Sequence, residues 1–233
     1  MKVSIIIPVF NEQKTIAQIL KRVFAARIPS GFIKEIIVVN DASTDRTLAF
    51  IPKSSCILIS HPQNLGKGAA IRTGLNHATG DVVLIQDADL EYDPRDYLKL
   101  LTPFKNVDTR VVYGSRLINY PLRFYGPQKT PMPVHWLANH FLTLLTNLLF
   151  NRSVTDMETC YKAIRRDVFL SLRLKSNRFD IEPEITAKIL QRGIKIIEVP
   201  IKVNPRSYAQ GKKIGWRDGL IAVWTLIKYK FVD

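Results

Sequence analysis

The sequence predicts an α/β fold, a mostly parallel central sheet flanked by helices. Aliphatic runs at 3–9, 34–40, 56–60 and 82–85 alternate with segments of helical period over the first 90 residues. Runs without strict alternation suit strands covered on both faces, and strand–helix alternation implies right-handed βαβ units. A third observation is that acids, asparagines and glycines lie in the segments that follow these runs. Polar groups therefore gather at the carboxyl edge, where open α/β sheets bind ligands.

Composition agrees. The 233 residues suffice for an ordinary core, and 46% hydrophobic with 23% charged residues is a globular balance. A net charge of +14 favours anionic partners, and residues 151–233 carry 17 Lys/Arg against 9 Asp/Glu. Two cysteines, Cys56 and Cys160, are too few for a disulfide framework and fit a reducing cytosol. The first run is too short for a signal-peptide core, and none approaches the ~18 apolar residues of a transmembrane helix. Membrane association is therefore expected to be peripheral.

The first strand yields to a helix with Ile16, Ile19, Leu20, Val23 and Phe24 at helical spacing. The second run ends in Asp41-Ala42-Ser43-Thr44-Asp45, where Ser43 or Thr44 is a natural N-cap for a short helix through Phe50. His61-Pro62-Gln63-Asn64-Leu65-Gly66-Lys67-Gly68 leads into a helix expected over 69–77, closed by Gly80. Gly66-x-Gly68 lacks the third glycine of a dinucleotide fingerprint and the ending of a P-loop, so it licenses neither reading.

The fourth run ends in Gln86-Asp87-Ala88-Asp89. Alternate residues of an extended chain project the same way, so the two carboxylates crowd each other. A divalent cation relieves that repulsion, and hard oxygen ligands suit Mg²⁺ or Mn²⁺. The plainer reading is that Asp89 or Asp93 caps a helix beginning near Pro94. Asp41 falls at the same edge, where it could meet a base or ribose or merely shape a turn.

Together the motifs carry a resemblance. Pro8-Val9-Phe10-Asn11-Glu12, Asn40 to Asp45, Asn64 to Gly68 with Arg72 and Gly74, and Asp87-Ala88-Asp89 occur in the order and spacing of glycosyltransferase family 2. Within it the chain is most similar to the polyprenyl-phosphate sugar transferases, over nearly its whole length. The resemblance implies a GT-A fold spanning 1–233, with a nucleotide-sugar-binding half at 1–115 and an acceptor- and membrane-facing half at 116–233. It further implies a GDP- or UDP-hexose donor and Mg²⁺ or Mn²⁺ on Asp87 and Asp89, which also hold the diphosphate. Pro8, Asn11, Glu12 and Lys67 would line the donor pocket, and Asp41 would read the base or ribose.

In the second half, Val111 to Arg116 reads as a strand ending in a basic residue. The resemblance puts Arg116 near an acceptor phosphate, and a structural ion pair is the alternative. Residues 119–133 hold four prolines and match the family poorly, so a mobile loop is expected there. Residues 134–150 form the most apolar long segment, with Asn139, Thr143, Thr146 and Asn147 as a narrow polar stripe. An interfacial helix or an ordinary core helix would each fit. Asp156 and Glu158 are either base and helper for a hydroxyl acceptor or positioning groups beside the donor; the resemblance favours the second. Glu182 and Glu184 open a helix with a core stripe of Ile181, Ile185 and Ile189, and the helix dipole is sufficient reason for both acids. By resemblance, Arg206, Lys212 and Lys213 belong to a loop that closes on the donor diphosphate. A final helix carries Trp216, Leu220, Trp224, Ile227 and Phe231 on one face, for packing or for contact with lipid headgroups.

The expected activity is inverting, metal-dependent transfer of a hexose to a polyprenyl phosphate on the cytoplasmic face of a membrane, with Asp89, Arg116 and Asp156 as the catalytic set. Several relatives continue into membrane-spanning segments, so a peripheral enzyme or one with a membrane-protein partner is expected. The nearer rival is transfer to a hydroxyl with Asp156 as base. The remoter one is a non-catalytic basic protein on membrane or nucleic acid; no aromatic–basic interleaving supports nucleic acid.

Overall fold

Among the described residues seven strands make one sheet: β1 (Lys2–Val9), β2 (Ile33–Asn40), β3 (Ile57–Ser60), β4 (Val82–Ile85), β5 (Val111–Ser115), β6 (Lys162–Arg165) and β7 (Ile196–Pro200). Their spatial order is β3-β2-β1-β4-β6-β5-β7. All neighbouring pairs are parallel except that β6 runs antiparallel to both β4 and β5. The computed structural model describes residues 1–118, 132–206 and 215–232. In the sheet centre Ile6 sits opposite Ile37 on one side and Ile85 on the other, and β4 is buried throughout, as its unalternating sequence requires.

Helix α1 (Ile16–Ala25) buries Ile16, Ile19, Leu20 and Val23, while Phe24 lies outside the stripe, partly exposed. The short helix before Phe50 is a 3-10 turn, Arg46–Phe50, capped by Asp45 rather than by Ser43 or Thr44: Asp45 accepts from the Thr47 amide at 2.9 Å. Ser43 and Thr44 instead bind Asn11 across the loop. Helix α2 (Lys67–His77) begins two residues earlier than its pattern suggested. The segment after Pro94 is broken into a 3-10 turn, α3 (Tyr97–Leu101) and a second 3-10 turn containing Pro103, whose missing N–H prevents a continuous helix. Asp93 caps it, accepting from the Arg95 amide at 3.0 Å.

The remaining helices are α4 (Pro133–Phe150), α5 (Arg166–Ser171), α6 (Ile181–Gln191) and α7 (Trp216–Phe231). Helix α5 has no periodic signature of its own and follows β6 directly. Helix α6 is buried on every side from Ile181 to Leu190, more than its isoleucine stripe implies. It packs with α4 and α7 around a second core that includes Leu142, Met157, Leu190 and Leu226.

Helix α4 buries part of its polar stripe alongside Leu142 and Phe150. Its inward residues include Thr143 and Thr146, both buried, and Asn147, which bonds both backbone groups of Val154. Leu144 and Leu148 face outward, 58% and 72% exposed, together with Val134, Leu137 and Phe141. Helix α7 does the same with Trp216, Leu220, Trp224 and Phe231. The face expected to pack or to meet lipid is thus the exposed one. No helix among the described residues is long and apolar enough to cross a membrane. The loop expected at 119–133 lies outside the described residues except at its end, where Pro133 opens α4.

Candidate active site

A cavity of about 710 Å³ opens at the carboxyl edge of the sheet. Parallel strands deliver Pro8 from β1, Asp41 after β2, Asp87 and Asp89 after β4, Arg116 after β5 and Arg206 beyond β7. Because β6 is antiparallel, the residues preceding it arrive at the same edge, and so Glu158 and Cys160 join the wall. Glu12, Lys67 and Glu182 complete the charged lining.

Asp41 builds one side of this cavity. Its carboxylate accepts from the amides of Leu65 at 2.9 Å and Gly66 at 2.8 Å, and His61 Nδ1 lies 2.7 Å from it. These bonds hold the chain entering α2. Gly66 has φ +97°, and a Cβ on Gly66 or Gly68 would sit 2.4 or 2.5 Å from the carbonyl oxygens of Asn177 or Ser176. Only glycine permits that approach. With its flanks so fixed, Lys67 reaches into the cavity.

There it meets two carboxylates. Lys67 Nζ is 2.8 Å from Asp87 Oδ1 and 2.8 Å from Glu182 Oε1. Burial works against its charge, but Asp87 above all, with Glu182, holds the ammonium well above its ordinary value. Arg206 plays the matching part on Asp89, 3.0 Å from Oδ2, while also bonding Glu12 at 3.2 Å and lying 3.7 Å from Glu91. Burial, then the charges of Asp87 and Glu91, push Asp89 up to about 7 despite Arg206. An acid pair so crowded is a site that gains from added positive charge.

Asp87 and Asp89 offer the hard oxygen donors that Mg²⁺ or Mn²⁺ takes. Among the described residues no group of three or more His, Cys, Asp or Glu side chains is gathered to hold an ion. An ion on the acid pair would therefore complete its shell with water and phosphate oxygens, the usual habit of Mg²⁺ sites.

Beneath the acid pair, Gln86 is wholly buried and acts as a hub. Its Oε1 accepts from Tyr97 at 2.7 Å and Tyr161 at 2.8 Å, and its Nε2 donates to the Asp87 carbonyl at 2.9 Å. This clamps the turn on which both carboxylates stand.

On the opposite wall, Arg116 and Asp156 form a bidentate pair, with Nε and a terminal nitrogen each 2.7 Å from a different carboxylate oxygen. The Arg116 amide adds a third bond to Asp156 at 2.9 Å. Asp156 is fully buried and does not line the cavity. Glu158 does, and its Oε1 has no hydrogen-bond partner among the described residues. Burial raises its carboxyl to about 7, against the pull of Lys162.

Of the residues singled out in sequence, Pro8, Glu12, Asp41, Lys67, Asp87, Asp89, Arg116 and Arg206 meet around one cavity. Asn11 does not: at φ 52° its side chain ties the β1 loop to Thr44. Lys212 and Lys213 lie outside the described residues. Glu182 is more than a complement to the helix dipole, since it pairs with Lys67; Glu184 binds the amides of Lys175 and Ser176 and the buried Lys188. Gln86, Glu91 and Glu182 are the contributors that pattern reasoning missed. For Glu91 a signal existed, because it continues the alternate spacing of Asp87 and Asp89.

This mostly parallel sheet with one reversed strand, carrying an acid pair at its edge with cations around that pair, has the GT-A fold. Glucosyl-3-phosphoglycerate synthase from Mycobacterium tuberculosis, solved with Mn²⁺, UDP-glucose and phosphoglyceric acid, matches all of this chain and 80% of its own at a TM-score of 0.73 and 19% identity. The chain belongs to glycosyl transferase family 2, whose family model matches residues 4–173. Dolichol-phosphate mannosyltransferase of Pyrococcus furiosus is 30% identical over 92% of this chain and 60% of its own length. An undecaprenyl-phosphate 4-deoxy-4-formamido-L-arabinose transferase of Sodalis glossinidius is 36% identical over 91% of this chain and 62% of its own. The chain thus spans less than two thirds of either relative.

Proposed function

We propose that the protein transfers a hexose from a UDP- or GDP-sugar to a polyprenyl phosphate, with inversion, at the cytoplasmic face of a membrane. The observation that carries this reading is the composition of the cavity wall. The acid pair and its cations form one side; Val134, Ala138 and Leu142 of α4 and Trp216 and Ala222 of α7 form another. Those two helices carry the outward apolar face, so a lipid held against them could present its phosphate to a site built for a diphosphate. The named acceptors of the mannosyl and arabinosyl relatives are polyprenyl phosphates.

In this reading residues 1–115 bind the donor and residues 116–233 face the acceptor. Asp87 and Asp89 would hold Mg²⁺ or Mn²⁺, which supplies Lewis-acid charge for the departing nucleoside diphosphate. Lys67 and Arg206 add fixed positive charge beside it. Arg116, oriented by Asp156, attracts the acceptor phosphate. A phosphate acceptor is already anionic and needs no base, which accords with an Asp156 whose two oxygens are taken up by Arg116.

The test is transfer of radiolabelled sugar from UDP-glucose or GDP-mannose into the organic phase, with Mn²⁺ and either undecaprenyl or dolichyl phosphate. Label in the lipid, lost in Asp89→Ala, supports the proposal. Donor binding without lipid labelling overturns it.

One observation favours a second reading. Glu158 lines the cavity with an oxygen that has no hydrogen-bond partner among the described residues and a carboxyl raised to about 7, a fit state for a general base toward a hydroxyl acceptor. Label appearing in a glycolipid hydroxyl, and vanishing in Glu158→Gln with donor binding intact, would select it.

A further inference from the structure

Each carboxylate of the acid pair already holds a side-chain cation, and each of those cations has somewhere else to go. Lys67 is shared between Asp87 and Glu182 at equal distances of 2.8 Å. Arg206 is shared between Asp89 at 3.0 Å and Glu12 at 3.2 Å, with Glu91 near its Nε. Among the described residues, five carboxylates thus meet these two cations. Either cation can release its aspartate and remain paired, without the large penalty of a stranded buried charge.

We propose that Lys67 and Arg206 are resident counter-ions of the acid pair, so that cation binding and donor binding are coupled. The inference rests on the donor site read above. In the free enzyme Lys67 and Arg206 compete with a divalent cation for Asp87 and Asp89, and like charge beside the incoming ion weakens its hold. Once a nucleoside diphosphate is present, its oxygens give both side chains a new anionic partner. They then reinforce the ion instead of opposing it. By linkage the effect is reciprocal: the ion strengthens nucleotide binding by the same factor. Pairing each cation with an aspartate and with a second acid provides the two arrangements this exchange needs.

The experiment is a Mn²⁺ titration of the full chain, with free Mn²⁺ read by electron paramagnetic resonance, in the absence and presence of UDP or GDP. Lys67→Met keeps the apolar stem and removes the charge. It should raise nucleotide-free Mn²⁺ affinity about tenfold, within the roughly 5–150-fold range of coupled sites, and shrink the gain on adding nucleotide. Arg206→Met should act in the same direction, and Lys67→Arg should behave as wild type. Arg178→Met, which removes an exposed cation from the same cavity wall, should leave the affinity near wild type and so exclude a general field effect. Thermal unfolding identifies any variant that fails to fold.

Nucleotide-free affinity at or below wild type in both folded Met variants overturns the inference. A wild type that takes up Mn²⁺ but neither nucleotide would bring down the donor reading instead. The nucleotide-free comparison would still judge the counter-ions.

Discussion

Replacing Leu144 and Leu148 together by serine tests the outward face of α4. They are 58% and 72% exposed, so about 1.3 side chains' worth of leucine surface stands in water. Full burial of a leucine contributes about 1.5–3 kcal/mol, so seating this pair in a bilayer interface contributes about 2–4 kcal/mol. The double variant should therefore bind vesicles about 30- to several-hundred-fold more weakly. Co-sedimentation with phosphatidylcholine–phosphatidylglycerol vesicles measures this directly. Thermal stability should stay within about 0.5 kcal/mol of wild type, as for ordinary surface substitutions. Leu142→Ser is the contrast, because that side chain is only 6% exposed within the second core, and its truncation should cost about 2–5 kcal/mol of stability. Vesicle binding within twofold of wild type in Leu144→Ser/Leu148→Ser would refute the reasoning, and so would a large drop in its melting temperature.

Asp156→Asn should destabilise the protein by about 2–3 kcal/mol in urea unfolding, because the mostly buried Arg116 loses the charge of its fully buried partner; an unchanged midpoint would show the pair to be dispensable. Glu35 is held down at about 2: burial opposes this, but Lys2, Ser4 and Thr79 outweigh it. A depressed carboxyl contributes stability above its unfolded value of about 4.3 and loses it as pH falls through about 2. Glu35→Gln should thus cost about 2 kcal/mol at pH 7, after discounting for solvent near the sheet end, and almost nothing at pH 2; a pH-independent difference contradicts this. Gly68→Ala places a methyl 2.5 Å from the Ser176 carbonyl oxygen and should cost about 1–3 kcal/mol, read from chemical denaturation; a neutral effect would mean that the 176–177 loop yields freely.

The acid-pair side of the cavity was largely legible in sequence because its signals are local. A strand of unalternating aliphatics that ends in Asp87-Ala88-Asp89 carries its burial, direction and chemistry in one stretch. Asp41, at the end of β2, is placed by the same logic. The opposite wall, around Arg116 and Glu158, was less legible because its pieces come from distant parts of the chain. Nothing near Glu158 says that β6 runs backward, yet that reversal brings it to the same edge as Asp87. Gln86 is an unremarkable polar residue until Tyr97 and Tyr161 converge on it.

Sequence alone thus determined the α/β architecture, the family and the acid pair, since hydrophobic period and motif spacing are properties of the chain itself. Tertiary structure alone decided which cation sits on which aspartate. It also decided that Asp156 serves Arg116 rather than facing the cavity, and that α4 turns Thr143 and Thr146 inward beside Leu142 while leaving Leu144 and Leu148 out. The physical reason is the same in each case. Ion-pair partners and buried faces are settled by what packs opposite, and a helix with both an apolar and a polar stripe does not state which one meets the core.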